Sequence, residues 1–121
     1  MSYLNKVLLI GNCAARPEVK TTTTGKTLAK LRVATNRYWK DDDGDHKATE
    51  WHTVIAWDRQ AEICSQFLDK GSRVYVEGRI KTRSWQGDNG EARSVKEIVA
   101  QRISFMDSRR GQSGDSEDLP L

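Results

Sequence analysis

The sequence predicts a small all-β domain, a barrel or a sandwich, with one helix set among its strands. Three observations point there. Runs rich in β-branched residues recur at short intervals, separated by turn-forming Gly, Asp and Asn. Only residues 58–71 carry an apolar stripe at helical spacing. The strands also lack the alternating helices that a parallel sheet with crossovers would need.

The elements follow in order. "YLNKVLLIGNC" is an apolar first strand ended by a turn or bulge at Gly11-Asn12. "RPEVKTTTTGKT" holds Pro17 and a threonine run broken at Gly25, an extended edge followed by a turn. "LAKLRVATNRYW" alternates: Leu31, Val33 and Thr35 lie on one face, and Lys30, Arg32 and Ala34 on the other, so the second strand is half-buried. Residues 40–49, "KDDDGDHKAT", read as a polar loop, and "EWHTVIAW" as the third strand. In "DRQAEICSQFLDKG", Asp58 is the expected N-cap and Ala61, Cys64, Phe67 and Leu68 form the buried stripe. Gly71 stands where a left-handed residue would end that helix. "SRVYVEGRIKTRSW", a second polar loop "QGDNGEAR", and "SVKEIVAQRISFM" complete the set.

A chain of 121 residues fits one domain. Its two cysteines, Cys13 and Cys64, form no Cys-x-x-Cys motif and read as reduced thiols of a cytosolic protein. No apolar run is long enough to span a membrane, and the N-terminus reads as a strand and not as a signal peptide. Charge is unevenly placed. Residues 1–106 carry 18 basic against 13 acidic side chains, whereas residues 107–121 carry two against four. We expect a basic folded domain over 1–106, a short flexible linker over 107–114 and a disordered acidic tip over 115–121.

Enzyme chemistry finds little to stand on. The two histidines, His46 and His52, belong to no cluster at metal-ligand spacing. "TGKT" at 24–27 lacks the earlier glycine of a phosphate loop, because position 20 is Lys20. Asp41, Asp42, Asp43 and Asp45 fall in a hydrophilic turn. No catalytic residue, metal or cofactor is expected.

The tryptophans are the positive signal. Four of them outnumber the two phenylalanines, and Trp39, Trp51, Trp57 and Trp85 fall near strand ends with basic neighbours. Arg37 and Lys40 flank Trp39, Arg59 follows Trp57, and Lys81 and Arg83 precede Trp85. A flat ring offers any nucleobase a face and a nearby cation takes the phosphate, the basis of sequence-tolerant single-strand binding. Trp51 and Trp57 share parity, so an unbulged strand puts both on one face, roughly 20 Å apart. Alternation does not settle whether that face or the one bearing His52, Val54 and Ala56 is outside.

Together, "NKVLLIGN", "PEVK", "ATNRYW", "EWHTVIAW", "LDKGSRVYVEGRIKTRSW" and the closing "EDLPL" resemble bacterial single-stranded DNA-binding proteins of the homotetrameric type. The resemblance covers residues 4 to 106 in order and returns at the end of the chain. It implies a five-stranded Greek-key oligonucleotide/oligosaccharide-binding (OB) barrel, with the helix between strands three and four. It also implies single-stranded DNA binding and protection in replication, recombination and repair, in the cytosol or nucleoid. By resemblance Trp39, Trp51, Trp57 and Trp85 stack on bases; position 57 more often holds phenylalanine. Arg59, Lys70, Lys81 and Arg83 match phosphate-attracting positions, His52 a subunit contact, and Tyr75 a strand that contributes to subunit packing. The tip, Asp115, Glu117, Asp118, Leu119, Pro120 and Leu121, matches the family's docking site for replication and repair proteins, but with Leu121 where the family has phenylalanine.

Two other readings fit an OB domain: an interaction module of the replication-restart type, and a single-stranded RNA binder. Four spaced tryptophans favour a stacking surface over a protein-contact module. A nuclease built on the acidic loop would need a metal-ligand pattern that the sequence lacks. The tail generates a first prediction. A short linker tethers an acidic tip to a basic domain, so the tip competes weakly with DNA. Deleting residues 115–121 should tighten binding at low salt, and an unchanged affinity would sink the idea.

Overall fold

The computed structural model describes residues 2–106, so the expected linker and tip lie outside the described residues. The elements are β1 (Val7–Cys13), β2 (Glu18–Thr21), β3 (Thr27–Asp41), β4 (Gly44–Trp57), α1 (Asp58–Phe67), β5 (Arg73–Gln86) and β6 (Ala92–Phe105). Neighbouring strands run β1–β5–β6–β4–β3–β2, and β1 also pairs with β3. That last pairing closes five strands into the expected OB barrel and leaves β2 as an outer edge. α1 lies between the third and fourth barrel strands, β4 and β5.

Alternation builds the interior. On β3, Ala29, Leu31 and Val33 point inward, opposite Ala56, Val54 and His52 of β4. Val74 and Val76 of β5 and Ile98 of β6 join them, and α1 closes one side with Ala61 and Cys64, continued by Leu68 just beyond it. Each fully buried Leu or Val contributes about 1.5–3 kcal/mol. Cys13 and Cys64 lie within this core as reduced thiols. Burial pushes the Cys64 thiol up to about 11, so it stays protonated and unreactive at neutral pH.

Closure is narrow. Only Asn12↔Ala34 and Cys13↔Val33 join β1 to β3. Gly11 permits it: a Cβ there would sit 2.4 Å from the Ala34 carbonyl oxygen and 2.8 Å from a Val33 methyl. Gly78 plays a similar part beside the irregularity in β5–β6 pairing, where a Cβ would meet the Val99 carbonyl oxygen at 2.3 Å.

Four details differ from the sequence reading. The polar stretch 40–49 is mostly strand. β3 and β4 stay paired out to Asp41↔Gly44, so only Asp42 and Asp43 turn. Polar side chains on both faces of a ribbon report solvent, and the backbone ladder forms regardless. Asp41 Oδ1 accepts from the Asp43 N–H at 2.8 Å and Gly44 takes φ +118°, which together make the tight turn. Asp58 does not cap α1. It is the first helical residue, at φ +52°, with Trp57 as the extended N-cap and no side-chain cap hydrogen bond. The chain needs a left-handed residue to swing from β4 into the helix, and Asp tolerates it better than most. Phe67 faces solvent and tilts against Phe105 at 5.9 Å instead of entering the core. Gly71 is left-handed as expected, but in the turn after the helix: α1 ends at Phe67, and the Ser72 N–H bonds to the Asp69 carbonyl at 3.1 Å.

The closing contact gives a stability prediction. Gly11→Ala should lower the unfolding free energy by about 1–3 kcal/mol, because neither the Ala34 carbonyl nor Val33 can retreat without opening the β1–β3 seam. Urea unfolding reads it; a midpoint equal to wild type would show that the seam yields.

Candidate nucleic-acid interface

The β3–β4 register decides which rings share a face. Trp57 pairs with Leu28 and Trp51 with Ala34, and both rings stand on the outer face, 38% and 53% exposed. The alternate residues Val54 and Ala56 are fully buried, which answers the question of face that parity left open. Trp51 stands mid-strand in β4, inside the longer hairpin, and not at a strand start. Trp39 departs from the set. It pairs with His46 on the side of the ribbon that carries Leu31 and Val33 further down, so alternation separates it from Trp51 and Trp57. Its ring is still 37% exposed, because the arm projects beyond the core.

Three tryptophans carry an arginine. The Arg37 guanidinium lies 4.3 Å from the Trp39 ring centre, Arg32 5.4 Å from Trp51 and Arg83 4.8 Å from Trp85. Arg37 and Arg83 reach their rings from two residues earlier on the same strand face, and Arg32 from a diagonal cross-strand position. Such contacts orient the indole and hold a cation over its face. His46 stacks on Trp39 at 5.2 Å, with its Nε2 2.8 Å from Asp41 Oδ1.

Trp57 has a different setting. It walls a groove of about 340 Å³ on the outer face. Leu28, Ile55 and Val99 give the groove an apolar floor, and Lys20, Lys30, Lys81 and Arg83 line it with positive charge. Glu97 also lines it, 8% exposed and held by Arg83 through two bonds of 3.2 Å, Nε to Oε1 and Nη2 to Oε2. Arg83 therefore joins the groove to Trp85 at the end of β5. A second concavity around Trp85 is lined by Gln86, Arg93 and Ser94 among others.

The remaining expected residues scatter. Lys81 and Arg83 fall in the groove. Lys40 stands opposite Asp45 near the tip of the β3–β4 arm. Arg59 is exposed in the first turn of α1, and Lys70 is exposed in the turn after the helix; neither lines the groove. His52 Nε2 lies 2.9 Å from Thr35 Oγ1. The Tyr75 hydroxyl donates to Glu77 at 3.1 Å, and Lys6 donates to the same carboxylate at 2.9 Å. The Lys6 bond, seconded by Tyr75, holds the Glu77 carboxyl below its ordinary range; desolvation, with the Glu77 bond behind it, raises the Tyr75 phenol. Lys20, Lys30, Arg32, Glu97 and His46 were not singled out as site residues. Lys30 and Arg32 alternate with core residues, a signal that they face outward, but the groove that Lys30 shares with β5 and β6 is a long-range assembly.

Residues 4–106 match the model of the single-strand binding protein family. The chain belongs to that family. Among curated relatives, family member single-stranded DNA-binding protein 1 of Chlorobaculum tepidum is 39% identical over 116 residues, spanning 94% of this chain and 72% of that one. A Plasmodium falciparum family structure, solved in complex with single-stranded DNA, superposes with a TM-score of 0.79 at 31% identity, covering 88% of this chain and 98% of the other. A deletion mutant of the Thermus aquaticus family protein gives a TM-score of 0.75 at 33% identity over 88% of this chain and 52% of that one. Among the described residues, this family member has no helix long and apolar enough to cross a membrane.

The exposed rings generate a mutational prediction. Trp51 packs against nothing in the core, so Trp51→Ala should leave thermal unfolding near wild type and cost about 1–3 kcal/mol in binding to a single strand. An unfolded variant would show that the ring supports the barrel.

Proposed function

We propose that the protein binds single-stranded DNA with little regard to sequence, through the outer face of its barrel, and that it works without catalysis. The observation that carries this reading is the pairing of exposed indoles with cations on one surface: Trp57 over a groove lined by Lys20, Lys30 and Lys81, and Trp51 beside Arg32 on the same face. Bases stack on the rings while phosphates follow the lysines. Trp39 and Trp85, at the ends of the two hairpins, extend the path outward, with Arg37 and Lys40 at one end and Arg83 at the other. Arg59 and Lys70 attract the strand at longer range.

On this reading the folded domain is 1–106, joined by a linker over 107–114 to a partner-binding tip over 115–121. The protein self-associates, as a homotetramer, with His52 and Tyr75 at subunit contacts. It protects exposed strands in the cytosol or nucleoid during replication, recombination and repair. The tip recruits replication and repair proteins, with Leu121 entering an apolar pocket on the partner.

Titrating oligo(dT), oligo(rU) and duplex DNA while following tryptophan fluorescence tests the reading. Oligo(dT) should quench strongly and duplex DNA should not. The affinity should fall with salt at a slope near −0.7 per phosphate neutralised. Quenching by oligo(rU) alone would reassign the ligand to RNA. Silence towards every single strand would leave the interaction module as the better account.

A further inference from the structure

We propose that the Trp57 groove is a nucleobase pocket that favours a base bearing an exocyclic amino group, and that Glu97 reads that group. The inference rests on the reading of the protein as a single-strand binder and adds a preference to it.

Glu97 is the anomaly of the surface. It is an almost fully buried carboxylate in a groove whose other charged residues are three lysines and Arg83. A phosphate passing over it would meet like charge in a partly desolvated place. The lysines that line the groove hold the strand's backbone, and what comes up to Glu97 is the base. The rest of the groove suits a flat ring, with Leu28, Ile55 and Val99 beneath and the Trp57 indole as a wall.

Arg83 fixes the plane of the carboxylate with its two bonds. Each carboxylate oxygen has a second lone pair, so the group still accepts from a ligand. Cytosine offers the N4 amino group, which pairs well with a carboxylate. Adenine and guanine also carry amino donors. Thymine has one ring N–H, flanked by two carbonyl oxygens that would face Glu97 with like partial charge. Cytosine and thymine are nearly equal in size, so comparing them isolates the donor.

Glu97 also positions Arg83 against Trp85, and that role alone would weaken all bases alike. The test separates the two. Affinities for oligo(dC) and oligo(dT) of equal length are measured for the wild-type full chain and for Glu97→Gln, with thermal unfolding as the control for folding. In the variant the amide oxygen keeps one Arg83 bond, while the amide NH2 gives up the other and stands as a donor where a carboxylate oxygen accepted. Glu97→Gln should weaken oligo(dC) about tenfold relative to oligo(dT), the worth of one hydrogen bond to a charged group. An equal loss on both would overturn the proposal and leave Glu97 as a positioning residue only. A second measurement needs no variant. An oligomer of 2-pyrimidinone deoxynucleoside, cytosine without its amino group, should bind wild type about tenfold more weakly than oligo(dC); equal binding would also overturn the proposal. If wild type binds none of these strands, it is the single-strand reading that fails.

Discussion

The structure depends on a seam two residue pairs long. Asn12↔Ala34 and Cys13↔Val33 turn an open sheet into a barrel, and the seam exists because Gly11 has no side chain. Closure fixes the two faces of every strand. It leaves one edge strand, β2, whose partner β3 is already committed to β4. It also explains a local oddity in β4, where Val54, Ile55 and Ala56 are all buried. Val54 and Ala56 fill the barrel. Ile55 is covered from the other side, as part of the floor of the groove between β3 and β6. A strand covered on both faces loses the alternation that normally reveals it, and here that loss marks the site.

Stacking and charge are held together by short-range geometry. Arginine suits these positions because its planar guanidinium lies flat on an indole and keeps its donors free at the rim. Arg83 is more constrained than Arg32 or Arg37, since it also pairs with Glu97. Its contribution as a free cation is thereby reduced, while its grip on Trp85 is firmer. Lys20, Lys30 and Lys81 are better placed to follow a flexible polyanion, because each is a mobile point charge on a long stem. On the single-strand reading, the groove divides its labour between Arg83, which sets the Trp85 ring, and lysines that meet phosphates. The exposed ion pairs elsewhere, such as Arg93 with Glu91, contribute little to stability.

Much of the fold was legible because it rests on period-two alternation. Leu31 and Val33, Val74 and Val76, and the shared face of Trp51 and Trp57 follow from it. What escaped was decided elsewhere. The stretch from Lys40 to Thr49 looked like a loop because both its faces meet water, and polarity cannot tell a solvated ribbon from a solvated coil. Trp39 resembles its fellows in composition and neighbours, yet its odd number on β3 places it with Leu31 and Val33; parity within one strand does not reveal the register across the hairpin. Asp58 is a residue type that caps helices, but the sharp exit from β4 claimed its backbone for a left-handed turn instead. The groove joins Lys20 to Glu97 through β3, β4 and β6. No local pattern encodes such a register, so the candidate site was legible in its rings and only partly in its cations.

The two hairpin arms carry this logic furthest. β3–β4 and β5–β6 run on past the core with their residues still in register across each ribbon, although Tyr38, Lys40, Arg83 and Gln86 have no interior to face. A ribbon without a hydrophobic face has little to stabilise it beyond its own ladder and cross-strand contacts. The Arg37–Trp39–His46 cluster and the Arg83–Trp85 pair supply such contacts, with Asp41 holding His46 near the turn. These same rings are the ones proposed to meet the strand. On the single-strand reading, a base that stacks on Trp39 or Trp85 joins a contact that already stiffens the arm. Ordering of the arms and binding of the strand then draw on the same aromatic surfaces, and each favours the other.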